Sequence, residues 1–197
     1  MMKRVCVFCG SSRGIRDIYS QKAVDLAEAM LIEGMELVYG GANIGLMKSI
    51  ADRVLEGGGK VTGVMPGSLA DREILHKSVT ETILVKDLQE RKKVMDELSD
   101  GFIAMPGGFG TIDELFEVLS WNQLGIIHKP VGIYNVDHYY DHLVGWLDHG
   151  TEMMFIRPEH RANILVDDQP AGLLNKMQNY QGLVAEKWVD RLKEKGY

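Results

Sequence analysis

GFIAMPGGFGTIDELFEVLSWNQLG, residues 101–125, changes its periodicity twice. Gly101–Met105 is a near-continuous apolar run, PGGFGT (106–111) is a run of small residues, and Ile112–Leu124 repeats its apolar positions at helical spacing. A short apolar run, a glycine loop and an amphipathic segment make one strand–loop–helix unit, the strand buried on both faces as in a parallel sheet. The glycines let backbone N–H groups approach an anion because no Cβ intervenes. Thr111 adds a hydroxyl, and the helix start adds a positive dipole end. The loop lacks the Gly-Lys-Ser/Thr ending of a triphosphate-binding P-loop. It places two acids, Asp113 and Glu114, near the anion position instead. A single phosphate fits such a loop better than a triphosphate with magnesium.

The same alternation runs along the whole chain. Lys3–Phe8, Glu36–Tyr39, Lys60–Val64, Val79–Val85, Pro130–Tyr134 and Asn163–Val166 read as strands. Ile18–Glu33, with Val24, Ala27 and Leu31 on one face, reads as a helix, as do Leu46–Leu55, Leu88–Leu98, Tyr139–His149 and a C-terminal region from about Ala171. Repeated strand–helix units predict an α/β fold: a doubly wound parallel sheet with helices on both faces, one domain over residues 1–197. Ligands of such sheets bind at the C-terminal strand ends, near the topological switch point. CGSSRG (9–14), GGANIG (40–45) and PGGFGT all follow strands, so they are expected to open on one edge and share an anion-binding crevice. Neither of the first two matches the dinucleotide fingerprint, and no acid closes a second strand where a ribose contact would need it.

Composition narrows the partners. With 22 Lys and Arg against 28 Asp and Glu, the net charge is −6, which argues against a general nucleic-acid or anionic-membrane surface. No apolar run approaches the ~20 residues of a membrane span, and VCVF near the N-terminus is short of the ~7–15 of a signal-peptide core. The expected location is cytoplasmic. Cys6 and Cys9 form a C-x-x-C, but Cys6 sits inside the strand run rather than at a helix start, so both read as reduced thiols. Two cysteines make an incomplete zinc site, and His138 and His142 lack both the glutamate of H-E-x-x-H and a third ligand. No metal is expected. Tyr134, Tyr139 and Tyr140 read as packing residues.

Two residues stay open on pattern alone. Thr111-x-x-Glu114 is a capping-box spacing, so Glu114 could serve the helix start or a reaction. An acid so near a phosphate repels it unless a cation intervenes. LQERKKVMDEL (88–98) offers one: Arg91 shares a face with Val94, Met95 and Leu98, and an arginine on an apolar face needs an anionic partner. Glu90 or Asp87 could fill that role structurally.

ERKKVM (90–95), PGGFGTIDE (106–114) and EVLSWNQLG (117–125) together resemble the LONELY GUY family, the cytokinin riboside 5′-monophosphate phosphoribohydrolases, often labelled lysine decarboxylases in bacteria. The resemblance extends over CGSS, YGGANIGLM (39–47), GVMPGSL (63–69) and KPVGIYNVDHYYDHL (129–143), nearly the whole chain. It implies a Rossmann-like fold, a homodimer, and hydrolysis of the N-glycosidic bond of an adenine-type nucleoside 5′-monophosphate without metal or organic cofactor. It further implies Arg91 and Glu114 as catalytic residues, with Glu73, Lys92, Gly107, Gly108, Phe109, Gly110, Thr111 and Ser120 as substrate contacts. Ala42, Lys48, Asp113 and His138 depart from the family's pattern, His138 standing where glycine is common. Two other readings remain: a nucleotide- or molybdenum-cofactor-binding protein of the same fold, and a pyridoxal-phosphate decarboxylase. The pairing of Arg91 with Glu114 is more than mere holding requires, and no Schiff-base lysine stands out for the second.

Overall fold

Apolar runs with few polar interruptions form the centre of the sheet. The computed structural model describes residues 2–70 and 74–182. Seven strands, β1 (Arg4–Phe8), β2 (Glu36–Tyr39), β3 (Val61–Pro66), β4 (Glu81–Val85), β5 (Gly101–Ala104), β6 (Val131–Tyr134) and β7 (Ile164–Asp167), join one sheet. Their order is β4-β3-β2-β1-β5-β6-β7, with every pairing parallel. The chain therefore builds outward from β1 in one direction, then returns past it and builds outward in the other. The switch point lies between β1 and β5.

The two-residue period of each strand divides the core. Val5, Val7, Leu37, Tyr39, Ile103 and Met105 face α1 (Ile18–Ile32), α2 (Gly45–Glu56) and α8 (Pro170–Gln178). Cys6, Phe8, Val38, Phe102, Ala104 and Ile133 face α4 (Leu88–Leu98), α5 (Phe109–Gln123) and α6 (Asp141–Glu152). Both cysteines are free and buried, and burial pushes their thiols up, away from the thiolate. Two short helices complete the described elements, α3 (Gly67–Leu69) and α7 (Pro158–Ala162).

Several boundaries move. On α1 the buried residues are Ala23, Leu26, Ala27 and Met30, not the stripe through Val24 and Leu31. Small Ala23 and Ala27 let α1 lie close to the sheet, and Leu31 instead caps the gap at Gly57 and Gly59. The expected Tyr139–His149 helix begins as a 3-10 turn at Val136–His138, and α6 starts only at Asp141. Asp137 and His138 are both left-handed there, at φ 50° and 62°, which interrupts a continuous helix. α5 starts at Phe109, three residues before the first apolar position of its stripe. Of the expected C-terminal helices, α8 is seen, and residues after 182 lie outside the described ones, as does Glu73.

Candidate active site

Three glycine loops interlock at the switch point. Gly10, after β1, donates its N–H to the Pro106 carbonyl at 3.0 Å, and its own carbonyl accepts from Leu46 N–H at 3.0 Å. The loop after β1 is thus held between the loops after β2 and β5. A crevice of about 260 Å³ opens there, lined by Cys9, Gly10, Ser11, Gly40, Met47, Arg91, Gly108, Phe109, Gly110, Thr111 and Glu114 among others.

One wall is the start of α5. Its cap is Gly108, which has no side chain to satisfy the first-turn N–H groups. Those amides, with the dipole behind them, are available to an anion. Thr111 is buried inside the first turn and is no cap, so Thr111-x-x-Glu114 is not a capping box in this protein. A Cβ on Gly107 would collide with the Thr111 hydroxyl, so this glycine allows the loop to fold tightly over the helix end.

The other wall is α4, where the cap is real. Asp87 Oδ1 accepts from Gln89 N–H at 3.0 Å and Glu90 N–H at 2.9 Å, while Glu90 Oε2 accepts from Lys86 N–H at 2.6 Å. Asp87 and Glu90 are therefore occupied with the helix start, and neither is the partner of Arg91. That partner is Glu114: Arg91 Nη2 lies 3.4 Å from Glu114 Oε1, with the two side chains only 16% and 12% exposed. Arg91 Nε is buried without an acceptor among the described residues. A Cβ on Gly40 would overlap the guanidinium, so the Gly40 backbone forms the floor against which Arg91 lies. Burial raises the Glu114 pKa and the Arg91 charge pulls it back, the net direction being upward. The carboxyl group is therefore held poorly solvated, facing a single close guanidinium.

The remaining expected residues separate. Gly107 to Thr111 surround the α5 start beside Arg91 and Glu114. Lys92 turns the other way: its Nζ lies 2.9 Å from Glu117 and 3.2 Å from Asp113, tying α4 to α5 outside the crevice lining. Burial works against its charge, but the carboxylates of Glu117 and Asp113 outweigh it and raise its pKa. Ser120 donates its hydroxyl to the Phe116 carbonyl at 2.7 Å. It borders a different cavity, of about 210 Å³, with Phe116, Leu119, Trp146, Leu147 and Ile156. Phe109, 97% exposed, stands at the crevice mouth. Gly40 lines the crevice, as expected of the GGANIG loop, and residues not anticipated include Met47 in the lining and a latch, His76 Nε2 to Asp52 Oδ1 at 2.9 Å. The latch fastens the segment whose Ile74 carbonyl and His76 N–H bond to Asn43 and Gly41. Two hydroxyls were also missed. Tyr139 donates to the Gly107 carbonyl at 2.6 Å and Tyr140 to the Met105 carbonyl at 2.7 Å. Consecutive tyrosines beside an Asn-x-Asp turn were the available signal. His138 pairs with Asp141 at the surface, and no group of three metal-ligating side chains is found among the described residues.

Fold and crevice define the class: a doubly wound α/β protein with an uncapped helix start lining a crevice at its switch point and a buried carboxylate–guanidinium pair within it. The family described as "Possible lysine decarboxylase" matches residues 47–177. Cytokinin riboside 5′-monophosphate phosphoribohydrolase LOG5 of Arabidopsis thaliana is 45% identical over 191 residues, covering 94% of this chain and 84% of its own. A probable enzyme of the same name from Oryza sativa subsp. japonica, LOGL3, is 47% identical over 178 residues, covering 90% and 84%. The chain belongs to this phosphoribohydrolase family, the LONELY GUY family. Among solved structures, the molybdenum cofactor binding protein of Rippkaea orientalis superposes with a TM-score of 0.68 at 20% identity, covering 90% of this chain and 96% of that one. The molybdenum cofactor carrier protein of Chlamydomonas reinhardtii gives 0.67 at 20% identity, covering 91% and 98%. At that identity the likeness is one of fold.

Proposed function

We propose that this protein hydrolyses the N-glycosidic bond of adenine-type nucleoside 5′-monophosphates, releasing the free base and ribose 5-phosphate. The observation that carries the reading is the buried Glu114 set against Arg91 beside the uncapped start of α5. The curated relatives at 44–47% identity carry the activity in their names. The amides of Gly108 to Thr111 receive the 5′-phosphate, and the sugar extends from there toward Glu114. As the C1′–N9 bond lengthens, the electron pair leaves with the base and positive charge develops on the ribose ring. Glu114 stabilises that charge and takes a proton from the attacking water, whose oxygen bonds to C1′; Glu114 then gives that proton up to the departing base, which leaves neutral as the carboxylate is restored. Arg91 favours the ionised form of Glu114 and assists at the reacting end or at the phosphate.

Incubation with AMP and with isopentenyladenosine monophosphate, followed by chromatography for free base, tests this. Glu114→Gln and Arg91→Ala are each expected to abolish base release while the melting temperature holds. Full activity in Glu114→Gln would sink the assignment. The ratio of kcat/KM between the two nucleotides decides which base the crevice prefers. The protein acts as a cytoplasmic homodimer in this reading. Two free buried thiols suit a reducing compartment. The exposed Leu124, Trp146, Met153 and Phe155, along the end of α5, on α6 and at the α6–α7 corner, supply an apolar face for a second copy.

A further inference from the structure

We infer that Tyr139 and Tyr140 are positioning residues for the phosphate cradle, acting through the carbonyls of the loop after β5. Tyr139 Oη donates to Gly107 O at 2.6 Å, and Tyr140 Oη donates to Met105 O at 2.7 Å. In a trans peptide the C=O and the next N–H point in opposite directions. Holding the Gly107 carbonyl toward Tyr139 therefore turns Gly108 N–H away from it, toward the crevice side. That N–H has no backbone acceptor among the described residues.

The tether is needed because the loop has room to turn. The crevice with Arg91 and Glu114 borders it. A second cavity of about 280 Å³, which shares Gly108 with the crevice, borders the loop at Gly107 and Tyr139. Gly108 has no neighbour within 4 Å of where a Cβ would stand. With space around Gly108 and no side chain at the cap, nothing in the loop itself selects one orientation of the 107–108 peptide.

The turn that presents the tyrosines is built to hold them. Asp137 and His138 are consecutive left-handed non-glycine residues, a conformation that persists only where the surroundings enforce it. Three contacts do so. Asn135 Oδ1 accepts from Tyr140 N–H at 2.7 Å, Asn135 Nδ2 donates to Asp141 at 2.7 Å, and Arg16 pairs with Asp137. The ring of Tyr139 is held edge-on against both Tyr19 and Tyr140, at 6.0 and 4.9 Å between centroids. Strain and three anchors serve to place two hydroxyls.

The inference rests on the phosphate-cradle reading, and the test separates the two. Ribose 5-phosphate binding is measured by calorimetry, and AMP turnover is measured with it, on the full chain and on Tyr139→Phe and Tyr139→Phe/Tyr140→Phe. The rings and their packing survive these changes. The expected result is a rise in KM for AMP of about 10-fold in the single variant and more in the double, with kcat within about 3-fold, as for loss of ground-state binding. Ribose 5-phosphate affinity falls in parallel and Tm stays near the parent value. If the parent protein fails to bind ribose 5-phosphate, the cradle reading falls and this inference with it. If the parent binds and both variants keep its KM and affinity, the inference alone is overturned. A loss confined to kcat or to Tm also overturns it, since a merely structural tyrosine would behave that way.

Discussion

Gly40 is where one missing carbon decides the reach of the Arg91 side chain. Its backbone lies against the Arg91 guanidinium, and a methyl group would occupy the same space. Gly40→Ala is expected to push Arg91 off Glu114 and cut kcat/KM by about 10²-fold, the scale of a misplacement near 1 Å. Steady-state kinetics alongside a melting curve would show the loss without unfolding. In the proposed reaction, Glu114 is expected to set the acid limb of the pH profile. Its pKa is raised by burial, so the ionised form that the reaction needs is lost as pH falls through a value above the ordinary glutamate range. A kcat/KM profile with its acid limb at an ordinary glutamate value would contradict this. His138 occupies a left-handed position at φ 62°, so the departure noted in the sequence falls where the backbone favours glycine. His138→Gly is expected to stabilise the fold by up to about 1 kcal/mol, less the added freedom of the unfolded chain. That corresponds to a rise of about 2–4 °C in Tm by calorimetry. The exposed His138–Asp141 pair lost in the exchange offsets little.

At the scale of elements, α4 and α5 act as a pair. Lys92 bridges them through Asp113 and Glu117, and its charge also helps hold the Glu114 pKa down. Lys92→Met is therefore expected to move the acid limb of kcat/KM to higher pH while leaving Arg91 in place. An unmoved limb would mean the bridge is mechanical only. This pair also shows what sequence could and could not convey. Leu88–Leu98 was legible to the residue, because its apolar positions repeat at helical spacing. The two caps were not. Thr111-x-x-Glu114 and Asp87-x-x-Glu90 have the same spacing, and pattern cannot say which oxygen meets an amide; only the second does. The five-residue α7 is too short to show a period at all. Ser120 and Lys92 follow the family motif in sequence, yet each side chain faces away from the crevice lining, since neighbours on a helix point around it.

The whole molecule was the most legible level. Alternating apolar runs and helical stretches predicted the doubly wound sheet, and three small-residue loops predicted its ligand edge, because both follow from local periodicity and one general rule. How Arg91 reaches Glu114 was not, since it depends on α4 crossing the sheet. At this scale belongs the second copy. For the proposed homodimer, light scattering of the parent protein is expected to give twice the mass of one chain, and Trp146→Lys with Phe155→Lys to halve it; a parent of single-chain mass would overturn the dimer, and an unchanged double mass in the variant would place the interface elsewhere.

The strand order also divides the chain in a way that its length does not suggest. Everything up to the end of α4 builds β1 and one wing of the sheet, and everything from β5 onward builds the other wing. Arg91 ends the first part of the chain and Glu114 opens the second. Asp100, between them, accepts from Lys3 and Arg4 N–H at 2.7 and 2.9 Å and so docks the second part onto the start of the first. Two polypeptides, 1–99 and 100–197, would each carry one member of the Arg91–Glu114 pair and one face of the seam between β1 and β5. Base release would then report complementation of the fragments, silent for either alone and restored on mixing.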